Sequence, residues 1–225
     1  MYQNTSYTQD NELVRACYDL PLGAKRLLVL AISKLDATRM PQHTEITVTA
    51  QDWRTHINGH GSTWDQLKRA ADALFEAEVV VPTRSAEYDR LRWVQKCCYR
   101  ARAGSVKLKF TNEVETYLTN LQYAFTRILI EEIAELQSHH AMRLYELLSQ
   151  YRDTKWLHLS VDELRTILCL EDKYSRYAEL KRNVIDKVIV EINASTPMTV
   201  TYTTQKKGRK VQALRFTFST TIWRK

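Results

Sequence analysis

The feature that most constrains this chain is an order of elements stated twice, at an offset of about 112 residues. Arg26–Asp36 and Arg143–Asp153 both begin Arg-Leu, place apolar residues at helical spacing and end on Asp. Each precedes a short alternating segment, Glu45–Thr49 in one half and Trp156–Ser160 in the other. Thr49 and Ser160 then stand where a hydroxyl would cap a short helix, over Ala50–Ile57 and Val161–Leu168, with Trp53-Arg54-Thr55 matching Leu164-Arg165-Thr166. Longer helices are expected over Ser62–Glu78 and Ser175–Asn193, each followed by a strand-like hairpin, at about 90–110 and 198–218. Helix, strand, helix, turn, helix and two-stranded wing is the order of a winged helix-turn-helix. The expected fold is therefore α+β, two tandem winged-helix domains related by internal duplication, with residues 1–125 in the first and 126–225 in the second. Gly 5 and Pro 4 among 225 residues agree, because long uninterrupted elements need few breakers.

The net charge of +7 gathers in the hairpins. From Ile192 to Lys225 the basic residues are Lys206, Lys207, Arg209, Lys210, Arg215, Arg224 and Lys225, and there is no acid. From Arg90 to Asn112 they are Arg90, Arg92, Lys96, Arg100, Arg102, Lys107 and Lys109, again without an acid. Gly104 and Gly208 mark the turns. A solvated face ordinarily mixes signs, so two acid-free hairpins point to a polyanionic partner.

In a winged helix-turn-helix the second helix of the turn enters the major groove. At 100° per residue, Tyr177, Leu180, Val184, Val188 and Ile192 fall on one buried stripe. The opposite face carries Ser175, Arg176, Glu179, Arg182, Asn183 and Asp186, of which the arginines and Asn183 are types that read base edges. Lys173 precedes this helix and Lys181 flanks its core stripe. In the first half Leu67, Ala71 and Leu74 are the buried stripe, while Ser62, Asp65, Gln66 and Arg69 face out. The DNA-binding set expected is thus Lys173, Ser175, Arg176, Glu179, Lys181, Arg182 and Asn183 on the second reading helix. Lys206, Lys207, Arg209 and Lys210 join them from its wing, and Ser62, Arg69, Arg100 and Arg102 from the first half. Leu13, Val14, Tyr18 and the first wing are expected to leave apolar surface for a homodimer.

Other chemistries find no purchase. The phosphate-binding pattern G-x-x-x-x-G-K-[ST] is missing, which excludes an ATP-driven helicase from this chain. His56/His60 and His139/His140 lack the spacing of a nicking enzyme's metal site, and the cysteines show no C-x-x-C. No catalytic residue, metal or cofactor is expected. The chain opens without a basic-then-apolar leader and has no apolar run that spans a bilayer, so a cytoplasmic, DNA-associated protein is expected.

The residues also resemble a family, the replication initiators of iteron-carrying theta-replicating plasmids, of the RepA/RepE kind. The likeness covers about 11–218 and is carried by Asn11–Ala16 with Lys25–Leu28, by Met142–Leu148, and most specifically by Tyr174–Asn193 with its Leu-Lys-Arg and Glu-Ile-Asn spacing. Pro21–Ala24 and Lys187 depart from the family pattern. The resemblance implies monomers bound to tandem DNA repeats at an origin, autorepression as a dimer through the first domain, and recruitment of a host initiator and replicative helicase. The alternative on the same fold is a dimeric transcriptional regulator.

Overall fold

The computed structural model describes residues 5–43, 45–56, 63–82 and 87–221. The chain divides into two compact units, Met1–Glu135 and Leu136–Lys225. The expected boundary at 125/126 moves by ten residues for a simple reason. The strand Phe125–Leu129 pairs antiparallel with Ser6–Asp10 at the start of the chain, so it completes the first unit.

The first unit runs β1 (Ser6–Asp10), α1 (Asn11–Arg15), α2 (Leu22–Ile32), β2 (Ile46–Thr49), α3 (Ala50–His56), α4 (Thr63–Glu76), β3 (Glu78–Pro82), β4 (Tyr88–Arg92), β5 (Val94–Arg100), β6 (Ser105–Phe110), α5 (Asn112–Glu115), β7 (Phe125–Leu129) and α6 (Ile130–Ile133). The second runs α7 (His139–Ser149), β8 (Trp156–Ser160), α8 (Val161–Ile167), α9 (Tyr177–Leu180), a π-helical segment Lys181–Ile185, α10 (Asp186–Ser195), β9 (Met198–Lys207) and β10 (Lys210–Thr220). The sheet orders are β2-β6-β5 and β8-β10-β9. In both, the strand ahead of the helical turn pairs with the last strand of the wing. The duplication expected from sequence therefore extends to strand order.

Local chemistry sets the elements. Ser160 Oγ accepts from Glu163 N at 3.0 Å while Glu163 Oε2 accepts from Ser160 N at 2.8 Å, a reciprocal cap on α8. Thr49 and Asp52 repeat the arrangement on α3, with Asp52 N to Thr49 Oγ1 at 3.0 Å and Thr49 N to Asp52 Oδ2 at 2.7 Å. Lys34, in the turn just after α2, reaches the same Asp52 at 3.0 Å. Gly104 and Gly208 sit in the wing turns at φ +54° and +61°, a backbone region that side chains disfavour.

Three expectations in the first unit are corrected. The acid-free run is not a single hairpin: Arg90 and Arg92 end β4, which pairs with β3 ahead of the run, and only β5–β6 is the wing. Leu13 and Val14 are fully buried, with α1 against β1, β3 and β7, so they offer no apolar surface to a second copy. Tyr18 is buried too, edge-on to Trp93 at 4.9 Å, its hydroxyl accepting from the buried Lys25 ammonium at 2.7 Å.

Candidate nucleic-acid interface

The reading helix of the second unit is continuous over 177–195, two residues later at each end than its periodicity predicts. Arg176 is its N-cap in extended conformation, and Ser175 and Lys173 lie on the turn before it, all three exposed. Five residues, Lys181–Ile185, are π-helical, which inserts extra chain into one turn. The buried stripe widens accordingly to Leu180, Val184/Ile185, Val188/Ile189 and Ile192. Tyr177, expected in that stripe, is only half-buried.

What holds this helix in place is not visible in the sequence. The Arg165 guanidinium donates to the carbonyls of Leu170 at 3.4 Å, Lys173 at 2.8 Å, Tyr174, and Ser175 at 3.3 Å. One side chain thereby closes the turn that presents Ser175 and Arg176. A planar five-donor fork can serve four carbonyls at once, as an ammonium cannot. The turn needs it: without a glycine, its chain passes twice through positive φ, at Cys169 (50°) and Tyr174 (55°). In sequence Arg165 is one member of a repeated triad. Its counterpart Arg54 is exposed, so the repeat in sequence carries no repeat in role.

The far end of the helix is tied down separately. Glu191 Oε1 accepts from Gln137 N and from Ser138 N at 2.9 Å, just ahead of α7. Asn193 mimics a strand, donating Nδ2 to Val200 O at 3.0 Å and accepting Val200 N on Oδ1 at 2.6 Å. The Glu-Ile-Asn spacing is thus scaffold: a cap, a core residue and a clamp on β9.

Lys181 is engaged inside the protein. Its ammonium lies 2.6 Å from Asp186 Oδ2 and 5.9 Å from the centre of the Tyr202 ring, and Tyr202 donates to Asp186 Oδ1 at 2.8 Å. Partial burial would raise the Asp186 carboxyl, but the bonds from Lys181 and Tyr202 hold it below its ordinary value. Burial and the same bond push Tyr202 up to about 12. This latch ties the helix to the wing strand and occupies Asp186, the acid that could otherwise have paired with Arg182. Arg182 stays exposed, with Asn183 half-buried beside it and Glu179 half-buried one turn earlier.

The wing completes the surface. Lys206, Lys207, Arg209 and Lys210 are all exposed around Gly208, and no acid among the described residues pairs with them. A cleft of about 530 Å³ separates wing base from helical turn, lined by Ser160, Arg165, Ser175, Gln205, Lys206 and Lys210. The wing cations and the start of the reading helix therefore border one hollow.

The first unit differs. Arg90 bonds Glu78, and Arg92 lies 3.6 Å from Glu78 and 3.7 Å from Glu76. Lys96 and Lys107 reach Glu45 at 2.6 Å and 3.7 Å. Hydrogen bonds from Arg90 and Lys96 hold the Glu78 and Glu45 carboxyls below their ordinary value. Acids from outside the run thus neutralise much of the first acid-free segment. Arg100 and Arg102 remain exposed at the tip of the wing. Arg69 is exposed on α4 with its Nε on Asp65 O at 3.3 Å, and Gln66, expected to face out, bonds the Trp53 indole at 3.2 Å. Ser62 lies outside the described residues.

Residues 6–149 match the family described as Initiator Replication protein, WH1, and residues 160–218 match Initiator Rep protein, WH2. The chain belongs to the initiator replication protein family. This initiator is 26% identical to the PI protein of Escherichia coli, over 96% of its own chain and 83% of that protein. It is 24% identical to a replication initiation protein of Escherichia coli, over 92% of its own chain and 67% of that one. Its fold is similar to the Pi initiator protein solved in complex with iteron DNA, with a TM-score of 0.83, 26% identity, and coverage of 98% and 99% of the two chains. It carries the family's two winged-helix domains and is a DNA-binding replication initiator. No helix among its described residues is long and apolar enough to cross a membrane.

Proposed function

We propose that this initiator binds tandem repeats at a plasmid origin, with the second unit reading base edges and both wings gripping phosphates. The observation that carries the reading is the shared hollow. Ser175, Lys206 and Lys210 line it, with exposed Arg176 and Arg182 further along the helix and exposed Lys207 and Arg209 at the wing tip, in a fold similar to an initiator solved on iteron DNA. Lys173, Glu179 and Asn183 extend the reading surface, whereas Lys181 serves as a latch. Monomers on the repeats, a dimer on an operator, and contacts to host initiator and helicase join the proposal through the family resemblance, since the apolar residues expected to build a dimer are buried. The protein acts in the cytoplasm, on plasmid DNA. Selection of duplexes from a random pool tests the reading. Direct repeats beside the gene that match the selected site support it, and a lone inverted repeat would make the protein a repressor instead.

Salt dependence follows from the charge map. Six exposed cations on the two wings are free of acids among the described residues: Arg100, Arg102, Lys206, Lys207, Arg209 and Lys210. Neutralising six phosphates gives a log–log slope of about −5, and replacing the four second-wing cations by Gln should flatten it to about −2. Specific and random duplexes should weaken together, because phosphate contacts position without specifying. An unchanged slope would show that the wing does not touch DNA.

Arg182 carries a different expectation. A bidentate Arg–guanine pair discriminates by roughly 1–3 kcal/mol, so Arg182→Ala should lose about tenfold on the selected repeat and little on random DNA. Arg69→Ala, on a helix face with Asp65 and Asp72, should cost less and cost both duplexes alike. Filter-binding titrations on the two duplexes decide it.

A further inference from the structure

The two long helices of the duplication differ by one residue, and the difference shows only when their burial is compared. In the first unit Lys68 and Arg69 are exposed, Ala70 and Ala71 are buried, and Leu74 is buried three residues on. In the second, Lys181 and Arg182 are exposed, Val184 and Ile185 are buried, and Val188 is buried three residues on. Asn183 falls between the matched stretches and has no counterpart. The wing contacts agree. Asp72, directly after the buried alanines, accepts from the Tyr99 hydroxyl of the first wing. Asp186, directly after Val184 and Ile185, accepts from the Tyr202 hydroxyl of the second at 2.8 Å. The first helix, Thr63–Glu76, is α-helical throughout. The second closes a bond from Asp186 N–H to Lys181 O, the i to i+5 pattern of a π-turn. The Lys181–Asp186 ion pair needs that turn. At 3.6 residues per turn, five residues would set the two side chains about 140° apart, yet they meet at 2.6 Å.

We infer that the π-turn is a one-residue insertion that carries Asn183 onto the reading face, where its carboxamide selects an adenine beside the base pair met by Arg182. The inference rests on the proposed reading of base edges by this helix, and names a residue and a base for it. Three observations favour it. Asn183 bonds no described residue, although it is half-buried and offers both donors and an acceptor. The other asparagine of the helix, Asn193, uses both functions on Val200. The turn is also held from within the protein, since Lys181 and Tyr202 both bond Asp186. The wider backbone therefore persists without DNA, and little ordering opposes binding. Finally, the pair of side chains is chemically matched to a purine step. An asparagine amide meets adenine N6 and N7 together, as an arginine meets guanine O6 and N7. The first helix, without the insertion, offers only Arg69 there, and that guanidinium bonds its own helix at Asp65 O. Turns of this kind are rare and gather at functional sites.

The test uses the full-length protein, the selected duplex, a random duplex and repeated selection from a random pool. Deletion of Asn183 restores the spacing of the first helix, so that variant should fold, with a circular dichroism spectrum and urea midpoint close to wild type. It should bind random duplex within about twofold and the selected duplex about tenfold more weakly, the scale of one bidentate base contact. Asn183→Ala, which keeps the π-turn, should lose as much on the selected duplex, and selection with it should relax at one A·T pair alone. Asn183→Gln should keep the preference for adenine. An unchanged selected site with Asn183→Ala, while Arg182→Ala relaxes its own pair, would overturn this inference and leave base reading by the helix standing. Unchanged selection with both variants would overturn the two together. Unfolding of the deletion variant would show that Asn183 is integral to the helix rather than inserted into it.

Discussion

Glu146→Ala should lower the stability of the second unit by about 3–5 kcal/mol, the largest effect expected of any single change described for this initiator. Arg143 and Glu146 sit one turn apart on α7, both fully buried, with Nη1 3.2 Å from Oε2 and Nη2 3.4 Å from Ile167 O at the end of α8. An intact pair of this kind adds little over apolar residues of the same size, because desolvating two charges offsets their attraction. Removing one member leaves the other charge buried and uncompensated, and that is the costly state. Whole domains are stable by only about 5–15 kcal/mol, so the variant approaches the limit of folding. Arg143→Met combined with Glu146→Leu should recover most of the loss. Urea unfolding monitored by circular dichroism measures both, and a single variant that cost under 1 kcal/mol would show that water reaches the pair.

Arg165→Ala should cost about 3 kcal/mol of stability, as charged hydrogen bonds to four carbonyls disappear together. Its effect on DNA should be disproportionate. Without the fork, the turn that passes through Tyr174 at positive φ has no partner for its carbonyls and ceases to present Ser175 and Arg176 in one place. Specific affinity should fall about a hundredfold, near 2.7 kcal/mol, while random-duplex affinity held by the wing changes far less. Arg165→Lys is the informative control. It keeps the charge but reaches one or two carbonyls at most, so it should recover stability in part and specificity hardly at all. Full rescue by Lys would mean that Arg165 acts through its charge on DNA rather than through the turn.

The parts of this fold that can be read from sequence are those fixed by neighbours in the chain. Ser160 with Glu163, and Thr49 with Asp52, announce their helices within four residues, and Gly208 announces its turn alone. The parts that cannot be read depend on residues far apart. The acid-free run from Arg90 to Asn112 looks uncompensated in sequence because Glu45, Glu76 and Glu78 lie outside it and meet it only in space. The last residues of the β3–β4 hairpin, Arg90–Arg92, hide inside the same run. The π-helical segment leaves no mark, since Leu180, Val184, Val188 and Ile192 satisfy an α-helical period whether or not one turn is wider. Arg176 and Arg182 stay exposed all the same, because they are polar residues excluded from either version of the stripe. Arg165 and Lys181 are the harder cases. A long cation that folds back onto carbonyls or a carboxylate is spelled the same as one that reaches out to a phosphate.

The latch and clamps along 177–195 divide that helix into two stretches with different freedom to change. From Lys181 onward the chain is committed at several points: Lys181 to Asp186, Asp186 to Tyr202, Glu191 to the start of α7, Asn193 to Val200. Ahead of it, Ser175, Arg176 and Ala178 are exposed side chains on a backbone held by Arg165. New side chains at those positions, and at Arg182, leave every one of those bonds in place. On the proposed reading, in which these positions meet the repeat, such an initiator can drift to a new repeat sequence in single steps without passing through an unfolded intermediate, so two plasmids could diverge in origin recognition while sharing an unchanged scaffold.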